Sequence, residues 1–376
     1  MQMTRQGLKL TFLLWLATPP ICGQTLEIVS SKPQSVPGIV LGAAFNENKN
    51  EFFIQDFTFR STSAGKVGQR RISSWNLSHA EVKGNPRIDE YPVMSSSYPC
   101  GRIEFVPSIN AVVVCSQGSS LEFFDGGSLL LKEKMELINP GTIFDFDIDE
   151  GANTVLVLSV STDEKVHIAC YSLSDRKQRS DLVLESSHAV STLSVAISPA
   201  NRLAAIVSTI AEKEKGTLYS CEYDQSMECK SLGDGPPISQ ICFLVRQLLF
   251  VPSSFPDDKR VCITSVNLST NVRSKAYCAP GTGVHFALGV IGEKYIVGYT
   301  GLRSTNWLTE NPKVVESSFS VWRPENKQAQ AKVNDPTNGK GLQSFHIVTS
   351  KSMPYFIAFD FSSEFSLYKI KEVSPH

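Results

Sequence analysis

The chain has 376 residues, enough for one large or two ordinary domains. Lysine and arginine number 36 against 37 aspartates and glutamates, a net charge of −1. That balance argues against a nucleic-acid binder, which needs a basic stripe to displace phosphate counterions. Aromatic and β-branched residues broken up by frequent turn residues point to an all-β protein.

In chain order, Arg5 and Lys9 accompany a short apolar core at 10–17, and small and helix-breaking residues follow to Gly23 and Gln24. That core is too short to span a bilayer, so residues 1–24 read as a cleaved signal peptide. Residues 25–376 are then expected to be exported, secreted or extracytoplasmic (periplasmic in a bacterium), with no transmembrane anchor. Of nine cysteines, Cys22 leaves with the signal, and eight remain in a compartment where disulfides persist.

Residues 26–31, LEIVSS, offer a lone strand, and a repeating unit follows. Two apolar strands around a short turn recur as LGAAFNENKNEFFIQ, RIEFVPSINAVVVCS, FDFDIDEGANTVLVLS, VAISPANRLAAIVS, ICFLVRQLLFVPS, FALGVIGEKYIVGY and FHIVTSKSMPYFIAF. A further strand follows each, with a bulky residue at its fourth place: ISSWNL, LEFFDG, IACYSL, YSCEYD, ITSVNL, FSVWRP and FSLYKI. The aligned residues are Trp75, Phe124, Tyr171, Glu222, Val266, Trp322 and Tyr368, spaced 44–56 residues apart, with Glu222 the poorest fit. A four-stranded propeller blade takes roughly 40–50 residues, and both features count seven. After FSLYKIKEV no outer strand remains for the seventh blade. Strand 26–31 is expected to supply it and so remove two exposed sheet edges. The expected fold is all-β: a single seven-bladed β-propeller over residues 25–376.

The turn Ser198-Pro199-Ala200-Asn201 and the strand end Val266-Asn267-Leu268-Ser269 resemble the seven-bladed propellers of the YVTN and lactonase-type superfamily. The resemblance covers nearly the whole chain after the signal. No Gly-His…Trp-Asp signature is present, so the WD-repeat class is not supported. Lactonase-type propellers include sugar-lactone hydrolases and muconate-cyclising enzymes, and many relatives have no assigned activity. No catalytic motif of theirs matches residue by residue, so no catalytic role is carried over.

Loops of a four-stranded antiparallel blade alternate between two faces, and the inter-blade loops rim the channel mouth. Binding residues are commonly carried on such loops over a rigid scaffold. The stretches 95–102, 139–145, 186–192, 235–240, 281–286 and 338–344 lead into the innermost strands and bring Tyr98, Arg102, Asp145, His188, His285 and Lys340 to that mouth. His188, His285 and Asp145 are candidate acid–base groups, and Tyr98, Arg102 and Lys340 candidate ligand contacts. The plainer reading is a solvated polar rim. Two long loops share this face, 58–71, basic and flexible, and 300–318. The second carries Arg303 and Trp307, residue types that anchor interfaces. Its plainer reading is a mobile insertion with Trp307 tucked on the blade.

DFDIDEG at 145–151 has the alternating acids of a calcium loop, but Phe146 and Ile148 alternate with them as in a strand. A calcium loop also needs an internal glycine turn and a later carboxylate, so no metal is expected, and no cofactor. No nucleophile elbow, zinc-binding His-Glu-x-x-His or phosphate loop occurs.

Cys221 and Cys229 lie symmetrically about a turn, as do Cys262 and Cys278, and Cys100 nearly faces Cys115 across the first hairpin of the second blade. Disulfides Cys100–Cys115, Cys221–Cys229 and Cys262–Cys278 are expected, leaving Cys170 and Cys242 as buried thiols. Asn76-Leu77-Ser78 and Asn267-Leu268-Ser269 match the glycosylation acceptor pattern, and equally a strand-ending turn that the repeat prefers.

Two function classes stay open. One is a monomeric exported binding or protein-interaction module, with a protein or small-molecule ligand at the channel mouth. The other is a lactonase-like hydrolase or cyclase acting on a sugar or aromatic lactone. There His188 or His285 is the base, and Arg102 or Lys340 steadies an oxyanion or carboxylate. That second class rests largely on fold analogy.

Overall fold

The computed structural model describes residues 25–63, 65–92, 100–116, 119–139, 141–184, 190–198, 200, 202–210, 216–223, 227–235, 241–250, 260–280, 284–303, 314–334, 346–359 and 362–373. They form seven antiparallel sheets of consecutive strands, the blades of a β-propeller. The inner strands are Ile39–Asn46, Ile103–Val106, Gly141–Asp149, Val190–Ser198, Ile241–Leu244, Val284–Ile291 and His346–Thr349. Each neighbours the next, and the last returns to the first.

Side-chain alternation explains why the sheets stack. In the third blade, Val155, Val157, Ala169 and Tyr171 pack toward the second blade, while Leu156, Leu158, Ile168 and Cys170 pack toward the fourth. Successive strand residues point to opposite faces, so a run apolar at every position makes a sheet that must be covered twice. Only the outer strand, such as Gln178–Leu184, alternates half-buried with exposed residues. The seven apolar clusters of the described residues each span one blade–blade interface.

Ring closure follows the expected route. Thr25–Ser30 pairs antiparallel with Glu364–Val373, Thr25 opposite Val373 and Ser30 opposite Tyr368. Leu26 and Ile28 enter the cluster between blades six and seven.

The ladders correct one position of the repeat. Phe52 faces Trp75, Val155 faces Tyr171, and the equivalent Ala204 faces Cys221. Cys221 therefore holds the bulky place in blade four, not Glu222, which is exposed and ends the strand Gly216–Glu222. In other blades that strand-ending place holds Asn76, Asp125 or Asn267. The Asn76 Oδ1 accepts the Ser78 N–H at 2.8 Å, and the Asn267 Oδ1 those of Ser269 at 3.0 Å and Thr270 at 3.2 Å. Such side-chain turns suit asparagine and aspartate. Leu77 and Leu268 meanwhile plug interface clusters. Both Asn-Leu-Ser runs are thus turn devices of the repeat.

The expected loop at 58–71 is a hairpin instead. Glu51–Thr62 pairs with Gly65–Asn76 out to Thr62 opposite Gly65. Asp56 stands opposite Arg71 and accepts from its guanidinium at 2.9 and 3.0 Å. Phe59 meets Phe57 edge-on at 5.1 Å. Cross-strand charge and ring contacts of this kind support pairing in a basic, polar stretch. The loop expected at 300–318 is strand at both ends, with Leu302 opposite Glu316 and Arg303 opposite Val314. Trp307, at its centre, lies outside the described residues.

Three disulfides are formed, Cys100–Cys115, Cys221–Cys229 and Cys262–Cys278. The last two join directly opposed residues of third and outer strands, with Cα atoms 4.1 Å apart in each. Cys170 is buried and Cys242 partly so, both as free thiols. Burial pushes each thiol's pKa up, which disfavours the reactive thiolate.

Two outcomes are expected. Removing Thr25–Ser30 gives up the burial of Leu26 and Ile28, about 1.5–3 kcal/mol each, and bares an edge strand. The shortened chain should melt lower and self-associate with concentration in light scattering, and an unchanged melt would contradict the closure described. The chain from residue 25 should show its two free thiols to Ellman's reagent only after denaturation, whereas prompt labelling of the native protein would contradict their burial.

Candidate functional site

Among the described residues, charged side chains on the inner strands of blades two and three cluster against blade four. Ile103 and Phe105 pack back toward blade one, so the alternate residues Arg102 and Glu104 face forward to blade three. Likewise Phe146 and Ile148 pack back toward blade two, and Asp145, Asp147 and Asp149 face blade four. Strand period alone therefore brings one arginine and several carboxylates together.

Arg102 Nε and Nη2 donate to Glu104 Oε1 at 2.9 and 2.6 Å. Nη2 also lies 2.8 Å from Asp147 Oδ1, and Nη1 lies 3.7 Å from Asp145 Oδ1. Nη1 reaches the Val195 carbonyl at 3.4 Å. The far oxygens of the aspartates grip blade four. Asp145 Oδ2 accepts the Val195 N–H at 2.8 Å, and Asp147 Oδ2 the Ile197 N–H at 2.7 Å. Asp149 Oδ2 accepts from the Tyr223 hydroxyl at 2.8 Å and from Arg202 at 3.1 Å. The run DFDIDEG is a zipper between two blades, each aspartate one rung.

One guanidinium serves three carboxyls here, Glu104, Asp145 and Asp147. Burial pushes the Asp145 pKa up to about 6, against the opposing pull of Arg102. Burial also raises Glu104, again against Arg102, and the neighbouring Asp147 adds to the rise. For Arg102 burial disfavours the charge, but Asp147, Glu104 and Asp145 outweigh it and hold the proton more firmly. The cluster can keep a proton on a carboxyl well above the usual range, a property shared by acid–base sites and by strained structural clusters. Its geometry favours the structural role, because both Asp145 oxygens accept backbone N–H groups, those of Val195 and Phe146.

Of the sequence candidates, Arg102 and Asp145 meet in this cluster. His285 lies on the inner strand Val284–Ile291, with its backbone opposite Thr300. Arg303 ends the strand Tyr295–Arg303. Tyr98, His188, Lys340 and Trp307 lie outside the described residues. Glu104 escaped notice in the sequence, although its spacing from Arg102 on one strand face signals it. His346, at the start of the seventh inner strand, was also missed. Burial pushes its pKa down to about 4, so the ring is neutral at physiological pH, and it stacks on Phe359 at 5.4 Å.

A second charged device joins blades one and two. Arg70 is fully buried, bonds Asp89 and the Cys115 carbonyl at 2.9 Å each, pairs with Glu122, and lies over the Phe124 ring at 5.5 Å. Among the described residues no group of three or more histidine, cysteine, aspartate or glutamate side chains is arranged for a metal, and no helix is long and apolar enough to cross a membrane. No protein-family model matches the chain, and no curated protein matches it in sequence.

Replacing Arg102 by methionine should cost about 1–3 kcal/mol at pH 8, less than breaking a fully buried ion pair, because the Arg102 side chain is 32% exposed. The loss should shrink toward pH 5. The folded-state pKa of Asp145, like that of Glu104, lies above its unfolded value, so the folded chain binds more protons between roughly 4 and 6. Stability from these groups is therefore regained as pH falls through that window. Denaturant melts at both pH values check this, and an equal loss at both would rule out the charge clamp.

Proposed function

We propose that this chain is an exported propeller that acts as a binding or protein-interaction module, with its ligand at the channel mouth. One observation carries the reading: among the described residues, the charged cluster on the inner strands of blades two and three is engaged within itself and by the blade-four backbone. Arg102 is shared among Glu104, Asp145 and Asp147, and the aspartates hold Val195 and Ile197. A general base needs a lone pair aimed at substrate, and such a cluster offers rigidity before it offers chemistry. The leader-like residues 1–24 and the three disulfides support export into an oxidising compartment.

The hairpin of strands Glu51–Thr62 and Gly65–Asn76 lengthens the first blade on the inter-blade-loop face. Arg303 and Trp307 are proposed as contacts on the same face. Immobilised protein should retain a saturable partner from extracellular extract, and Arg303→Ala with Trp307→Ala should release it. Retention that ignores both substitutions would move the site elsewhere.

A lactonase-like hydrolase is the second reading, favoured by the raised pKa of Asp145 close to Arg102. Its bases would be His188 or His285. Proton release from a panel of sugar and aromatic lactones decides between the two. The binding reading expects no release above buffer. Release abolished by His188→Ala or His285→Ala would establish the hydrolase.

A further inference from the structure

In blade three a histidine, an aspartate and an asparagine converge away from the axis. His167 lies near the start of the third strand, Val166–Ser172, and Asp181 on the outer strand, Gln178–Leu184. Ala169 stands directly opposite Asp181 and packs toward blade two, so Asp181 and His167, both in step with Ala169, share that face. Asn139, in the connection that leaves blade two, reaches both. His167 Nδ1 lies 3.1 and 3.3 Å from the two Asp181 oxygens. The terminal amide of Asn139 lies 3.4 Å from that nitrogen and 2.5 Å from Asp181 Oδ2. The His167 side chain is 10% exposed and that of Asp181 19%.

Hydrogen bonding alone leaves this trio in conflict. An imidazole Nδ1 either donates or accepts, and an asparagine presents either its NH2 or, after a half-turn of the amide, its oxygen. With a proton on Nδ1 and the amide nitrogen inward, two donors face each other. Without that proton, the bare Nδ1 faces the carboxylate lone pairs. With the amide oxygen inward, it meets the carboxylate at 2.5 Å. A cation at the centre removes each conflict, because all three groups then direct a lone pair at it. The spacing agrees. Zinc sits about 2.0–2.2 Å from nitrogen and oxygen ligands, which puts neighbouring corners of its tetrahedron about 3.3 Å apart. His167 Nδ1 stands 3.1 Å from Asp181 Oδ2 and 3.4 Å from the Asn139 amide. The charge agrees too. Asp56, Asp89, Glu122 and Asp149, all largely buried, each hold an arginine. Among the described residues Asp181 has neither arginine nor lysine within ion-pair distance, and His167 alone faces it. A buried carboxylate needs a counter-charge.

We propose that His167 Nδ1, Asp181 Oδ2 and Asn139 Oδ1 form a site for a divalent transition-metal ion such as zinc, with water completing the shell on the solvent side. Imidazole beside carboxylate suits such ions better than calcium or magnesium, which take oxygen ligands throughout. The Asn139–Asp181 contact widens as the ion enters, and the bound ion ties the connection from blade two to the outer half of blade three. The site stands on third and outer strands, not at the channel mouth, so it does not depend on the function proposed above.

Calorimetric titration of the full chain from residue 25, first stripped with EDTA, with zinc chloride tests this. Zinc should bind saturably at one ion per chain and raise the melting temperature, and calcium or magnesium chloride should do neither. Binding should weaken in acid, because a metal-bound imidazole must be unprotonated. His167→Gln and the isosteric Asp181→Asn should each weaken it about tenfold or more. Replacing the exposed His79 of blade one by alanine should leave it unchanged. Cobalt(II) bound in place of zinc should show d–d absorption without sulfur-to-cobalt charge transfer, which separates this site from the two free thiols. The melting temperature of each metal-free variant separates lost binding from lost fold. No saturable zinc binding, unchanged affinity in folded Asp181→Asn or His167→Gln protein, or a cobalt spectrum with thiolate charge transfer overturns the proposal.

Discussion

Each blade of this propeller is apolar on both faces and has no core of its own. Every one of the seven apolar clusters is shared between two neighbours. The whole structure therefore depends on there being no first and no last blade. The pairing of Thr25–Ser30 with Glu364–Val373 meets that requirement by taking the outer strand of blade seven from the other end of the chain. An open array of repeats needs polar caps at its ends. A closed ring needs a strand that crosses the seam, and Leu26 and Ile28 carry the seam's apolar contacts.

Closure creates a second problem near the axis. Each inner strand pairs on one side only, and its other edge holds N–H and C=O groups that need partners. The chain answers differently around the ring. Between blades one and two, glycine lets backbones approach: a side chain on Gly101 would stand 2.6 Å from the Leu41 carbonyl, and one on Gly42 would collide with Gly101. Between blades three and four, Asp145 and Asp147 reach across to N–H groups. Between four and five, Ser198 donates to the Val245 carbonyl at 3.0 Å, and between six and seven Thr349 donates to that of Val290 at 2.7 Å. The acidic solution needs Arg102 as counter-charge. Buried ion pairs add little net stability but penalise any arrangement that separates them, so this cluster fixes the order and register of blades two to four more than it strengthens them.

The fold was legible because it rests on period. Strand alternation and a repeat near fifty residues survive in the sequence even where no single motif does. The same alternation marked the acids of DFDIDEG as strand residues and not a calcium loop. Where one residue had to be assigned, the repeat alone was too coarse. Glu222 was aligned with Trp75 because the blade-four strand lacks a bulky aromatic at that place, and only the ladder shows Cys221 there, bonded to Cys229. Basic composition made 58–71 read as a loop, since the Asp56–Arg71 pairing across the hairpin depends on register and leaves no trace in composition. The channel cluster was half visible: Arg102 and Asp145 lay on recognisable inner strands. Their contact crosses from one blade to the next, and a contact of that kind follows from ring geometry more than from local spacing.

A net charge of −1 conceals an uneven distribution. Toward the axis, among the described residues, one arginine faces three carboxyls, and burial, with the neighbouring Asp147 adding to it, raises the pKa of two of them. The channel's polarity bears on the hydrolase reading. Opening a lactone yields a carboxylate, and Arg102, already shared among three acids, has little charge left to stabilise that anion as it forms. A neutral or cationic partner at the mouth fits the same field without that conflict.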